Sequence, residues 1–405
     1  MLYLPPLQVQ YLGGKSRIIE FIFDSITGSF GTKNKFVDLF SGSGVVGYNA
    51  LMMGYELYSN DIQPYSCAIN KSILTNEHGK LEDARNYLAS INEEDLFYGK
   101  KSIYIKDLER EKFFFRTLNG KELSWSEYKN FTNGTILFEN NSSKNKEMNK
   151  DWDLFLSYYR NTYFGVKQCA EIDFLRRYCE ELDENTRKHI VACTISALSK
   201  CCTGTTHLAQ YLKVHDANSA ANIINKRKLG IIDNVICGIG NILNNKIKNK
   251  ARYIGNLDFS KALEEIKPDS DTIIYADPPY FKEHYSRYYH ILDTFVLYDY
   301  PDLTFNSKIN AVTVGRYRKD RIVSDFGKRN KATAAFKRLF SFCVDYGTNL
   351  AISYTKSSIV GEDVFYDLAR EFDLKISTQE LELLHSGQGQ PRHKRVTEVL
   401  FLISS

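Results

Sequence analysis

Thr272-Ile273-Ile274-Tyr275-Ala276-Asp277-Pro278-Pro279-Tyr280 reads as a buried strand that ends in a carboxylate, two prolines and an aromatic ring. Its β-branched and aromatic residues favour a strand, and Pro278 and Pro279, which lack a backbone N–H, fix the turn that follows. That turn leaves one carbonyl free to accept. A planar amino group has two hydrogens to give, and the Asp277 carboxylate with the Pro278 carbonyl could take both. Tyr280 could stack on the ring that carries the amino group. The plain alternative is a strand-end turn with an incidental acid, so the motif needs context.

Earlier in the chain, Lys35-Phe36-Val37-Asp38-Leu39-Phe40-Ser41-Gly42-Ser43-Gly44 runs into an apolar helix start from Val45 to Met53. This is the first β-turn-α unit of a doubly wound sheet. Gly42 and Gly44 let the backbone approach a ligand where a Cβ would collide, and the helix behind them aims its N–H groups at the crevice. A phosphate-binding loop would need a longer glycine pattern or a Lys-Ser/Thr pair, and neither is present at Gly42 to Gly44. Next, Tyr55 to Ile62 is a short strand ending in Asp61, an acid placed to hold ribose hydroxyls. Ala251 to Leu257 is closed by Asp258 and Phe259. Asp258 could accept from an adenine amino group while Phe259 packs on its ring. Any one strand-end Asp is commonly a helix N-cap. Four strands ending in Asp38, Asp61, Asp258 and Asp277 point instead to one shared crevice.

With Gln10-Tyr11-Leu12-Gly13-Gly14-Lys15-Ser16-Arg17 added, these motifs resemble the S-adenosylmethionine-dependent DNA adenine-N6 methyltransferases of the alpha group, the Dam and FokI methylase kind. The resemblance implies an α/β fold, a Rossmann-like doubly wound sheet of the class I methyltransferase kind with an inserted, mainly helical recognition lobe. It implies S-adenosyl-L-methionine as cofactor, held by Tyr11, Gly13, Gly14, Lys15, Asp38, Phe40, Gly42, Gly44, Asp61, Ile62, Asp258 and Phe259. Asp277, Pro278, Pro279 and Tyr280 become the catalytic set, acting on an adenine extruded from duplex DNA, and a separate cognate restriction endonuclease becomes the expected companion. Segments from His284 to Asp293, Asn161 to Phe164, His207 to Tyr211, Ala351 to Tyr354 and His385 to Gly389 also resemble parts of that family, and the likeness thins between about residues 80 and 160. Cytosine-N4 methylases more often carry Ser at the position of Asp277, and RNA or protein-glutamine methylases Asn, so Asp favours adenine in DNA. A non-catalytic DNA-binding regulator with a decayed cofactor site is the alternative from another class; both halves of the cofactor site and the catalytic tetrad argue against it.

A chain of 405 residues with 43% apolar and 25% charged residues is globular and long enough for two lobes. The 53 basic residues outnumber the 49 acidic ones so narrowly, at a formal +4, that a polyanion partner must be argued from clustering. Arg316, Arg318 and Lys319, with Arg392 and Lys394, are the candidate phosphate contacts, since such contacts position a duplex. The eight cysteines show no C-x-x-C and no pairing with histidine, so neither a metal site nor disulfides are expected. Met1 to Phe23 has no long apolar run, and no segment approaches the roughly 18 apolar residues of a membrane helix. A monomeric, cytoplasmic protein is the expectation.

Asp61 and Arg252 are separated by far more than the dozen or so residues of an ordinary crossover. The sequence therefore divides into a first catalytic part, residues 1–74, a mainly helical target-recognition insertion, 75–250, and a second catalytic part, 251–405. Within the last, a basic excursion at 300–329 carries Gly315-Arg316-Tyr317-Arg318-Lys319.

Overall fold

The computed structural model describes residues 2–11, 13–117, 125–134, 151–204, 208–245, 247–279, 285–308, 310–356, 358–386 and 393–404. Its centre is a sheet of seven strands: β1 (Lys35–Asp38), β2 (Glu56–Asn60), β3 (Tyr253–Gly255), β4 (Thr272–Ala276), β5 (Asn349–Thr355), β6 (Lys375–Ser386) and β7 (His393–Ser404). In space they run β3-β2-β1-β4-β5-β7-β6. The first five are parallel, and β7 lies antiparallel between β5 and β6.

Period-two alternation explains how this sheet is covered. Phe36 and Val37 point to opposite faces, as do Ile273 and Ile274, their neighbours in register. Phe36, Leu57 and Ile273 share a core with Ile22 and Ile26 of the helix Ile19–Phe30 and with Ile69 of Pro64–Ile73. Val37, Ile274 and Ile352 pack against the helices Phe259–Ile266, Ala332–Tyr346 and Asp363–Glu371. With both faces covered, β4 is buried along its whole length, which accounts for its unbroken apolar reading.

The strand order reverses direction between β1 and β4, and a crevice opens at the carboxyl ends of strands at such a switch point. Asp38 ends β1 and Asp277 follows β4, so adjacent strands deliver both acids there, with Asp61 following the next strand over. The antiparallel β7 enters beside the end of β5, pairing Glu398 with Thr355.

Among the described residues between Leu81 and Leu243 the named elements are all helices. They are not detached from the sheet. Ile190, Leu198 and Ile239 belong to the same core as Phe36 and Leu57, and Phe114, Tyr128, Phe131 and Ile224 form a smaller cluster apart from it. The stretch at 300–329 holds a short pairing of Phe305–Asn306 with Ala311–Val312 and a turn at Asp325–Gly327. No helix among the described residues is long and apolar enough to cross a membrane. All eight cysteines are free, seven buried and Cys237 exposed.

Candidate active site

Three backbone donations fix the loop after β1. Asp38 Oδ2 accepts from Gly47 N at 2.8 Å, while the two oxygens of Asp61 accept from Gly42 N and Gln63 N, each at 2.8 Å. Gly42 and Gly44 have φ of +49° and +78°, a region costly for residues with a Cβ. A Cβ at Gly42 would stand 2.7 Å from Tyr11 Cζ, and one at Gly44 would stand 2.3 Å from Asn70 Oδ1. What demands glycine here is thus the chain's own side chains closing on the loop. Tyr11 is held by stacking on Tyr289, with centroids 5.3 Å apart and planes within 4°.

A pocket opens over this loop, with Tyr11, Phe40, Asp61, Ile62, Asp277 and Pro279 along its walls. The far wall is Ser286 together with Ile322, Val323, Ser324 and Gly327. Gln63 also lines it, donating from Nε2 to Ile322 O at 3.3 Å. Gln63 Oε1 and Ser286 Oγ are buried oxygens with no hydrogen-bond partner among the described residues.

Beneath the pocket lies a chain of charges. Lys15 Nζ is 3.2 Å from Asp277 Oδ1 and 2.6 Å from Glu398 Oε1, and Glu398 also accepts from Ser353 Oγ. Lys15 is 4% exposed. Burial disfavours its charge, but Asp277 and Glu398 outweigh that and hold its pKa above the ordinary lysine value. Burial pushes the Asp277 carboxyl up to about 7; Lys15 pulls it down and Glu398 pushes it further up. Asp38, buried below the loop, is lifted to about 8 by burial, with the neighbouring charges of Asp277 and Asp61 adding to it. Asp61 is raised as well, by burial against its backbone hydrogen bonds.

The crevice thus gathers Tyr11, Phe40, Asp61, Ile62, Asp277 and Pro279 from separate motifs. Gly13 and Gly14 form the turn that carries Tyr11 to the pocket and Lys15 under Asp277, with Gly14 N donating to Tyr11 O at 3.3 Å. Pro278 is buried behind them. Asp258 caps the helix Phe259–Ile266, accepting from Ser260 N at 3.1 Å and Ser260 Oγ at 2.6 Å. The ring of Phe259 is 3% exposed, covered by Phe326 at 5.0 Å and Phe40 at 6.3 Å between centroids. Tyr280 lies outside the described residues, as does Arg392, and Lys394 stands in β7 with its side chain undescribed.

Two of the basic candidates are corrected. Arg316 and Arg318 are 6% and 3% exposed. Arg316 donates to Tyr158 O, while Arg318 forks onto both oxygens of Asp299 at 2.7 Å and reaches Asp320 at 3.0 Å. Both guanidiniums are spent inside the protein, and of that run Lys319 is the exposed cation. Glu398, Ser353, Gln63 and Ser286 had not been singled out from the sequence. Glu398 carried a signal, since it is a lone acid inside the apolar run Val396 to Ile403.

A family model for D12 class N6 adenine-specific DNA methyltransferases matches residues 11–346, a span from the stacked Tyr11 to the end of the helix that covers Phe326. The chain belongs to this family. Among its relatives, the modification methylase LlaI of Lactococcus lactis subsp. lactis is 25% identical over 370 residues, covering 90% of this chain and 49% of that protein. The type II methyltransferase M.FokI of Planomicrobium okeanokoites is 27% identical over 311 residues, 73% of this chain and 38% of the relative. The modification methylase StsI of Streptococcus sanguinis is 22% identical, over 98% of this chain and 52% of the relative. The chain therefore spans about half the length, or less, of these curated relatives.

Proposed function

We propose that this chain methylates the N6 amino group of adenine at a specific site in duplex DNA, using S-adenosyl-L-methionine, in a restriction-modification setting. The observation that carries the reading is one pocket shared by the glycine-loop wall at Phe40 and Asp61 and by the Asp277-Pro279 floor. The residues fit the cofactor: Phe40 and Ile62 offer apolar faces, Asp61 keeps spare lone pairs beside its backbone bonds, and Gln63 brings an unpartnered oxygen. S-adenosyl-L-methionine, when bound, supplies an electrophilic methyl group.

The rest is work for the chain's own side chains. An adenine amino nitrogen is a weak nucleophile because its lone pair is delocalised into the ring. Asp277 and the Pro278 carbonyl accept its two hydrogens and draw the lone pair out of the ring, and Tyr280 stacks on an extruded base. Lys15 holds Asp277 Oδ1, so the carboxylate meets the substrate in a fixed orientation, and fixed hydrogen bonds and positioning supply most of the effect. With its pKa near neutrality, Asp277 can take the proton that the methylated nitrogen sheds. The helices between Leu81 and Leu243 and the exposed Lys319 are the parts we assign to target recognition.

The test is modified-base sequencing of DNA from a bacterial host expressing the chain or its Asp277→Ala variant. N6-methyladenine at one short motif, absent with the variant while purified variant still binds S-adenosylmethionine, is the expected result. Methylation retained by Asp277→Ala would sink the assignment, and modified cytosine in its place would redirect it to N4 chemistry.

A further inference from the structure

Beside the pocket, two arginines converge on one aromatic ring. The guanidinium carbons of Arg287 and Arg321 lie 5.1 Å and 5.2 Å from the centroid of Tyr317. Each is next in sequence to a pocket-wall residue, Arg287 to Ser286 and Arg321 to Ile322. Tyr317 is fixed in turn by an edge contact with His290 at 5.0 Å.

Three arginines and two acids meet in this region. Asp299 and Asp320 are both taken up by Arg318. Arg321 makes no ion pair among the described residues; it donates Nη1 to Arg318 O at 2.8 Å, and its Nε is buried without a partner. Two guanidiniums on one ring repel each other, and the arrangement is held by the ring's attraction for both. Burial pushes His290 down to about 3, with Arg321, Arg318 and Arg287 adding to the effect, so it brings no further charge. Two forked guanidinium donors gathered on one ring beside the pocket are suited to a phosphate.

We propose that Arg287 and Arg321, held on Tyr317 at the pocket rim, clamp a backbone phosphate flanking the extruded nucleotide. This rests on the DNA methyltransferase reading above. A base turned into the pocket drags its own phosphates to the rim, and arginines there position the strand irrespective of sequence. Lys319 stands near this rim in sequence, and the clamp replaces the role first given to Arg316 and Arg318.

The test uses the full chain and a fluorescent duplex carrying the motif found by sequencing, with affinity measured across a salt series. Arg287→Gln, Arg321→Gln and the double variant are compared with wild type; Arg287 is exposed, so its single variant keeps the fold even if Arg321→Gln does not. The double variant is expected to weaken DNA binding about tenfold and flatten the log–log salt slope by about 1, as loss of one phosphate contact requires, with S-adenosylmethionine affinity unchanged. Arg287→Gln alone should give part of both effects. A folded Arg287→Gln or double variant with wild-type slope and affinity overturns the clamp while the methyltransferase reading stands. A wild-type protein that neither binds duplex DNA nor methylates it overturns both.

Discussion

Lys15→Met removes the ammonium 3.2 Å from Asp277 Oδ1 and leaves Glu398 beside it as a like charge. Asp277 already sits near 7 despite the pull of Lys15, because burial disfavours its ionised form. An opposite charge at this range lowers a carboxyl pKa by about 1–3 units, so losing it raises Asp277 by about that much. In the proposed mechanism, the form that accepts the amino hydrogens is the carboxylate. At pH 7 its population would drop from about half to between about a tenth and a thousandth, a loss of turnover of about 5-fold to 500-fold. The loss should be reversible by alkali, since raising pH restores the carboxylate. Glu398→Gln has the opposite sign: the charge pushing Asp277 up is gone and Lys15 no longer divides its attention, so the acid limb moves to lower pH. The assay is transfer of a labelled methyl group to target duplex as a function of pH at saturating substrates, with folding verified by circular dichroism. Folded variants whose acid limbs do not move, or move the same way, would refute the coupling of Lys15 and Glu398 to Asp277.

Other substitutions separate site from scaffold. Gly42→Ala puts a Cβ 2.7 Å from Tyr11 Cζ at a φ of +49°, strain of about 1–3 kcal/mol borne by the loop and Tyr11, so S-adenosylmethionine affinity by calorimetry should fall about tenfold or more; wild-type affinity would show that the loop tolerates displacement. Arg318→Ala breaks a two-pronged pair with Asp299, which is itself 43% exposed. The expected cost is about 1–3 kcal/mol of stability, read by urea unfolding, with an unchanged salt slope for DNA; a flattened slope in a fully stable variant would return Arg318 to the phosphate-binding set.

What the sequence revealed was whatever depends on neighbours along the chain. Asp38, Asp61 and Asp277 were legible because a buried strand followed by a tight turn is a local signal, and parallel strands then place their ends together. Asp258 was legible as a strand-end acid, and its helix-capping geometry is the ordinary fate of such a residue. Within the Arg316–Lys319 run, Arg316 and Arg318 misled because charge in a row does not encode burial. Asp299, the partner that absorbs Arg318, lies 19 residues upstream and carries no mark of the pairing. Lys15 and Glu398 are 383 residues apart, and their meeting depends on β7 entering antiparallel beside β5, which no local pattern announces.

The formal charge of +4 conceals a separation of sign that the fold creates. Inside the crevice, Asp277 and Glu398 flank the buried ammonium of Lys15, and burial, reinforced by neighbouring like charges, presses the pKa values of Asp38 and Asp277 upward. At the rim, Arg287 and Arg321 stand over Tyr317, and Arg318 pairs with the acids Asp299 and Asp320. An acidic interior disfavours a phosphate, and a basic rim attracts one. On the proposed DNA reading, a nucleotide approaching this surface leaves its backbone at the rim and sends its uncharged base in. That orientation is the one the proposed Asp277 and Pro278 acceptors require.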